Sequence, residues 1–577
     1  MNNISLQTLS LAVITSTLLS NVSIAQESSD SLKMDVTFVG EREMIVKDAL
    51  KLQSWPELRK LESSKREFSY RLLAKRMNVA PVWTMLEPVR LRVDAPLARL
   101  YRGYARAGYG IYNTPLLELS MTDLRSREGT WGFQASHFAT DAPSDFVDER
   151  FQNSNGGVWL SRFIGKERVD LTANVSRNNI VFYGNAISDT LAPDTTMNTH
   201  ERYLSFGAEM AFKSHHRDST TLNHEVEIGW FQLRDLTGTI ENNFDGSFEV
   251  GKFVGNERFS LAGSMNLDRL VIGVNNPEKE RTDAAIASLI PTATSYRGPL
   301  TVTAGAGLWV DNAASRISKP FHFYPKVEAS IRILRDVFIP YIRLDGGLEQ
   351  NWFASMVDQN PFYYASPDSE MRTTSRSNDL EIGMRGTLTK AVSFQINVSS
   401  TKYEDFLYFV NDSLTNSTGS RFTELYGAIK VTSVGGNLSL DLNENLDIRL
   451  VGAIYGYDTY GQNGAWNLPN SKWSMDLSYS LLDKFYVDAS VTVVGARSSV
   501  SQISTGPDAQ LFIVGDIYYY NVKLPSYIDA NIGMEYRYNS RTSVWAKCSN
   551  LTNSSYRHWV GYPVQGIQAL FGGSYAF

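Results

Sequence analysis

Cysteine is nearly absent from this chain. Cys548 is the single one in 577 residues, so no intramolecular disulfide can form, and no cysteine stands near the N-terminal leader to carry a lipid anchor. Beyond that leader no run approaches the roughly 18 apolar residues that a membrane-spanning helix needs. Positive charge is not in excess. The formal net charge is −6, so no global field draws nucleic acid, and none is expected as a partner. Catalytic signatures are missing as well: there is no P-loop, GxSxG, HExxH, CxxC or EF-hand spacing. The seven histidines, His137, His200, His215, His216, His224, His322 and His558, have no partners at diagnostic spacing. His215 and His216 are adjacent, so an extended backbone sends them to opposite faces and they do not converge on one metal. The acidic groups Asp141, Asp145, Asp148 and Glu149, and Asp368 with Glu370, have the oxygen chemistry of a Ca²⁺ site but read more simply as solvated loops. No enzyme activity, metal or cofactor is expected.

What the chain does have is alternation. In Ile528–Tyr538 the residues Ile528, Ala530, Ile532, Met534, Tyr536 and Tyr538 share one face, with Asp529, Asn531, Gly533, Glu535 and Arg537 on the other. Val169–Ser176 and Phe485–Val493 repeat the pattern, and period two begins near Leu100. In the first such strand Tyr101, Ala105, Ala107, Tyr109 and Ile111 lie on one side. Arg102, Tyr104 and Arg106 lie on the other, where the two arginines would line a lumen. An apolar face of this kind meets either a core or lipid. The connections decide between them.

Short polar turns recur as FIGKERV from Phe163, FVGNERF from Phe253, ILRDVFI from Ile333 and LTKAVSF from Leu388. They continue as LNENLDI from Leu442, LLDKFYV from Leu481 and YNSRTSV from Tyr538, with looser turns at 125–129, 213–220 and 296–299. Between them fall long polar and aromatic stretches at 140–155, 178–200, 311–321, 350–378, 410–420, 457–471 and 498–526. Short turns on one side and long loops on the other are the sidedness of an outer-membrane barrel. Open strand edges are too costly in hydrocarbon, so the ring must close. The expectation is therefore an all-β transmembrane antiparallel barrel of about 22 strands, within a range of about 18–22. The 29 tyrosines suit the aromatic girdles of such a wall.

The N-terminal region differs. Residues 1–25 read as a secretory signal, with an apolar stretch at Leu9–Leu19 and the small-residue site Ser23-Ile24-Ala25. Residues 26–98 carry mixed charge, little alternation and a helix-like stretch at Lys60–Met77, and are expected to form a periplasmic or luminal segment. Residues 99–577 are the barrel.

The chain ends in a strand whose Gly572, Tyr575 and Phe577 match most of a Gly-x-x-aromatic-x-aromatic insertion pattern. The stretch Asn550–Phe577, NLTNSSYRHWVGYPVQGIQALFGGSYAF, resembles the last hairpin of TonB-dependent receptor barrels, and Glu404–Asp441 is similar to their late strands. The segment Asp35–Leu58 resembles a TonB box followed by the opening of a plug. The resemblance implies that Val36, Thr37 and Val39 pair with the sheet edge of TonB. It also implies uptake of a nutrient across the outer membrane. One departure stands out: only about seventy residues precede the barrel, where the family carries a plug of on the order of 130, so a plugless or vestigially plugged barrel is expected. The alternative is a non-transporting scaffold that holds a second outer-membrane or surface protein through its loops or lumen. The aromatic stretch Asn351–Tyr364, NWFASMVDQNPFYY, suits a glycan-like ligand or a protein partner equally.

Overall fold

The computed structural model describes residues 100–577 except 125, 127, 144–147, 185–198, 216–219, 274–279, 313–319, 335, 367–368, 413–419, 502–509 and 515–516. The signal segment, the 26–98 segment and the candidate TonB-contact residues Val36, Thr37 and Val39 lie outside the described residues.

The described chain is almost wholly β. Nineteen strands, β1 (Gly103–Gly110) to β19 (Phe485–Val494), pair antiparallel in sequence order. The strand β19 then skips three short strands and pairs directly with β23 (Tyr527–Arg537). From there β24 (Thr542–Ser549) and, past a separate small hairpin of β25 (Arg557–Trp559) and β26 (Tyr562–Pro563), β27 (Gln568–Ala576) complete the ring. Closure comes from β27 pairing with β1 over Tyr104↔Ala576 to Gly110↔Leu570, so the barrel has twenty-two strands and no open edge.

Alternation along each strand becomes alternation of whole rows around the wall. One row runs Leu160, Leu171, Met210, Ile228, Gly246, Met265 and Ala287 across strands β4 (Asp148–Ile164), β5 (Glu167–Val181), β6 (His200–Ser214), β7 (Asn223–Arg234), β8 (Ile240–Val254), β9 (Glu257–Ile272) and β10 (Glu280–Arg297). Its large side chains are among the exposed hydrophobics of the molecule. One residue along, the same strands present Ser161, Asp170, Ala211, Glu227, Ser247, Ser264 and Ser288. These bond among themselves: Ser161 to Asp170, Ser264 to Ser288 at 2.6 Å, and Lys213 beside them to Glu227 at 3.0 Å. Exposed rows of leucine, methionine and isoleucine are costly in water and at home in hydrocarbon, so the apolar face is outward and the polar face lines the lumen.

All ten short turns sit where the sequence places them, at the end of the barrel that also holds the start of β1 and the end of β27. Three of them are two-residue hairpins opened by Gly165, Gly255 and Gly298 at φ near +66°, +62° and +60°, a region that a side chain resists. The opposite end differs from expectation in four places, one of them 498–526, which holds most of the three short strands skipped by β19. Between β1 and β2 (Thr114–Thr122) the connection is only Ile111–Asn113, a tight turn in which Tyr112 and Asn113 take positive φ. Most of the stretch 140–155 is strand, because β3 (Gly129–Pro143) and β4 keep pairing out to Pro143↔Asp148. Finally, 350–378 is not all loop: it holds the one helix among the described residues, and β14 (Thr373–Thr389) begins inside it.

The closing seam is built on small residues. A methyl group at Gly572 would meet the Ala107 carbonyl and the Trp545 ring, whereas one at Gly533 finds nothing nearer than the Asp488 carbonyl at 3.9 Å. Gly572→Ala is therefore expected to weaken the barrel by ~1–3 kcal/mol through forced displacement. The readout is a lower temperature at which the compact electrophoretic form is lost, with Gly533→Ala unchanged.

Candidate functional site at the outer mouth

The stretch between β13 (Ile339–Gln350) and β14 does not extend outward as a loop. Its helix α1 (Phe353–Gln359) buries Phe353, Met356 and Val357, which fall at i, i+3 and i+4 on one stripe. The helix stops at Asn360 because Pro361 disfavours helical backbone in the residue before it. No side chain of its own caps the N-terminus. Glu241, fully buried on the lumen face of β8, does so instead and accepts the Ala354 amide at 2.7 Å. A segment whose apolar stripe has nothing local to cover it must pack on the wall, and it packs inward.

The attachments go to many strands. Tyr203 of β6 donates to the carbonyls of Pro361 and Tyr363, both at 3.2 Å. Asn351 donates to Thr374 at 2.6 Å, and Thr374 in turn to the Asp405 carbonyl at 2.7 Å. Phe362 and Tyr364 exchange backbone hydrogen bonds with Phe422 of β16 (Arg421–Asn443), each 3.0 Å. The Tyr363 phenol donates to Glu424 at 2.9 Å, and burial pushes its pKa well above the ordinary value, so it stays a donor. Glu370 pairs with Arg372 at 2.6 Å, and the same guanidinium reaches Asp405 at 3.2 Å.

From the other side comes Tyr562, in the last outer connection. Its ring stacks on Phe362 with centroids 3.6 Å apart, and its hydroxyl donates to the Ser420 carbonyl. The result is one buried cluster that joins Ile180, Phe182, Tyr203, Leu233, Leu270 and Ile286 of the wall to Phe353, Met356 and Tyr363 of the cap, and these to Phe422 and Tyr562. A second, smaller layer of Tyr408, Val410, Ile429, Trp466 and Val500 lines the neighbouring arc.

Beside the cap lies a recess of about 380 Å³. Phe138, Phe151, Tyr183, Phe362 and Tyr556 supply aromatic faces, and Asn531, Asn550, Gln565 and Gln568 supply amides. Gln565 accepts from Thr140 at 3.1 Å and from Gln568 at 2.7 Å, so the amides are held in place before any ligand arrives. Flat apolar surfaces with a few oriented polar groups are the usual make-up of a small-molecule site.

Among the residues singled out in the sequence, Arg106 reaches Glu118 at 3.5 Å and lies over Trp545 at 4.0 Å, on the strand face opposite the exposed Tyr109. Arg102 stands at the start of the seam, where its amide donates to the Phe577 carbonyl at 2.8 Å. Neither is near the recess. The carboxylates considered for Ca²⁺ are spoken for where they are described: Asp141 by Arg150 at 3.3 Å and Glu370 by Arg372. Asp145 and Asp368 lie outside the described residues. His137 Nδ1 is 2.9 Å from Ser154 Oγ, and among the described residues no carboxylate orients the ring. The stretch Asn351–Tyr364 was legible as a feature of the mouth. Its anchor was not, since Glu241 sits in an alternating IENNFDG segment like any wet-face acid.

No protein-family model matches the sequence, and no curated protein matches it. Solved structures do match. The FrpB iron transporter of Neisseria meningitidis superposes with a TM-score of 0.62 at 9% identity, over 83% of this chain and 82% of its own. A ferric enterobactin receptor, PfeA of Pseudomonas aeruginosa, gives 0.60 at 12% identity, over 83% and 82%. The siderophore receptor PirA of Acinetobacter baumannii gives 0.60 at 12% identity, over 83% and 81%. The fold is that of the TonB-dependent siderophore receptors. The resemblance seen in the last hairpin thus extends, as architecture, around the whole TonB-dependent-receptor-like ring.

Removing the Glu241 carboxylate would orphan the helix amides at a cost of ~1–3 kcal/mol. Glu241→Ala is expected to speed chymotryptic cleavage at Phe353 and Tyr363, read by mass spectrometry. Glu249→Ala, near the short-turn end of the same strand and exposed to the lumen, is expected to leave cleavage unchanged.

Proposed function

We propose that this protein is an outer-membrane receptor for uptake of a nutrient, which it captures at its outer mouth and passes through the barrel. The observation that carries this reading is the inward-packed cap with a preformed aromatic and amide recess beside it, inside a closed ring of receptor type. A wall with no task but anchoring has no need of a constricted mouth. The architectural neighbours that transport iron or bind siderophores make a ferric chelate the first nutrient to test.

In this reading the signal segment 1–25 directs export, and Val36, Thr37 and Val39 form the strand that pairs with TonB. Residues 26–98 act as a short plug-like segment, in place of a full plug domain. Arg102 and Arg106 line the lower lumen, where Arg106 is already paired with Glu118. The binding surface provides affinity and the TonB contact provides work, so the two are separable by mutation.

The experiment is uptake of labelled ferric chelates by cells that depend on this protein. Deleting residues 35–39 is expected to abolish energised accumulation and leave surface binding within about twofold (~0.4 kcal/mol) of the intact protein. Accumulation unchanged by that deletion would remove TonB from the account. In planar bilayers, deleting 351–372 is expected to raise single-channel conductance severalfold; an unchanged conductance would show that the cap is not a barrier.

A further inference from the structure

Two acids of the wall touch each other with no positive charge to answer them. Glu241 on β8 and Asp268 on β9 both face the lumen. Register makes them diagonal neighbours, since Glu241 pairs with Leu270 and Asn243 with Asp268. Both are buried, Glu241 completely. The next outward residues of the same strands are Asn242 and Arg269, so the pair stands at the outer end of the apolar rows, against the cap.

One Glu241 oxygen accepts the Ala354 amide of α1 at 2.7 Å. The other is shut off from water and has no donor among the described residues, and the Asp268 carboxyl lies within hydrogen-bond reach of Glu241. Asp268 accepts from Asn243 at 3.2 Å, and Asn243 and Asn266 lock each other through reciprocal amide bonds of 2.9 and 3.1 Å. Around them Leu233 of β7, Leu270 of β9, Ala284 and Ile286 of β10 and Phe353 of the helix close an apolar shell.

The charged groups of the neighbouring elements are engaged elsewhere. Asp283 of β10 holds Arg269 at 2.8 Å and also Arg281, all on the outward face. Arg234 of β7, outward as well, is bonded to Gln232. Glu201 of β6 accepts the Leu236 amide at 2.7 Å, and Asp235 the Thr239 amide at 2.6 Å. Asp245 of β8 and Asp358 of α1 are exposed. Two carboxylates in contact do not both ionise without a counter-charge, and the proton they retain belongs to the pair.

We propose that Glu241 and Asp268 hold one proton between them and act as a proton-operated latch on the cap. The proton bridges the carboxyls and supplies the donor that the buried Glu241 oxygen lacks, which keeps Glu241 in place under the Ala354 amide. When it leaves for solvent, two like charges face each other in a dry site. Glu241 then swings toward the wet lumen and the helix loses the acceptor at its N-terminus. The closed cap therefore binds one proton more than the open one, in which both acids are hydrated, so closure is favoured in acid and weakened as pH rises. Because α1 runs into Pro361 and Phe362, which line the recess, the same proton shapes one side of the binding surface. A divalent cation would also neutralise the pair, but it needs about six oxygens, and the amides beside this pair are bonded to each other. The latch does not depend on which nutrient is taken up.

The test uses the full chain in detergent, with a nitroxide at Asp358→Cys in a Cys548→Ser background and its mobility read from about pH 5 to about pH 9. The mobile fraction is expected to rise severalfold with pH. In Asp268→Asn and in Glu241→Gln an amide takes the place of the proton, so the label is expected to stay immobile throughout. Glu249→Gln, exposed to the lumen on the same strand, is expected to keep the wild-type response. Infrared difference spectra at neutral pH are expected to show the carbonyl stretch of a protonated carboxyl that both amide variants lose. A pH response that survives in Asp268→Asn overturns the proposal, as does a wild-type label indifferent to pH. So does loss of the carbonyl stretch on adding millimolar Ca²⁺, which would assign the pair to a cation. Heat-dependent mobility on gels verifies that each variant is folded before it is scored.

Discussion

Hydrocarbon offers no partner for a backbone amide or carbonyl, and every other feature of this molecule follows from that. A strand at an open edge would leave a row of such groups unpaired, each at a cost of several kcal/mol. The chain therefore has to end where it began, with β27 against β1, and the Gly572 contact to Ala107 and Trp545 shows how tightly the joint is drawn. Once the ring is closed, register carries side-chain alternation from strand to strand. One row is oil-facing and the next is water-facing, without a break from β4 to β10.

Closure on this scale creates a second requirement, because a twenty-two-stranded wall encloses more space than its own side chains fill. At the outer end the protein meets this requirement from within the barrel part of the chain. The α1 segment turns its stripe of Phe353, Met356 and Val357 inward, and Glu241, Tyr203 and Tyr562 hold it from three directions. Specific contacts to strands so far apart in sequence make the mouth part of the folded wall. The recess next to it inherits that rigidity.

Much of this was legible in the sequence. Turn chemistry such as FIGKERV and FVGNERF marks each hairpin locally, and period two survives because neither face of the wall is an ordinary core. The strand count therefore follows from counting turns. The outer ends were harder to read. Residues 140–155 are as polar as a loop, yet they remain paired because β3 and β4 continue beyond the apolar rows, where alternation of apolar and polar residues no longer signals a strand. The tight Ile111–Asn113 turn carries no glycine to announce it. The recess was invisible for a different reason. Phe138 and Tyr183 come from the first strands and Asn531 and Gln565 from the last, and the two pairs meet only through closure.

Strand length is uneven around the ring. It is 21 and 23 residues in β15 (Val392–Asp412) and β16, but 8 or 9 in β1, β2, β24 and β27. The rim is thus built of long paired strands on one side and of short ones on the other, where the connections Ile111–Asn113 and 550–567 take over. The long pairs carry hydrogen-bonded wall beyond the apolar rows on one side, whereas on the other Tyr562 and its connection close the mouth.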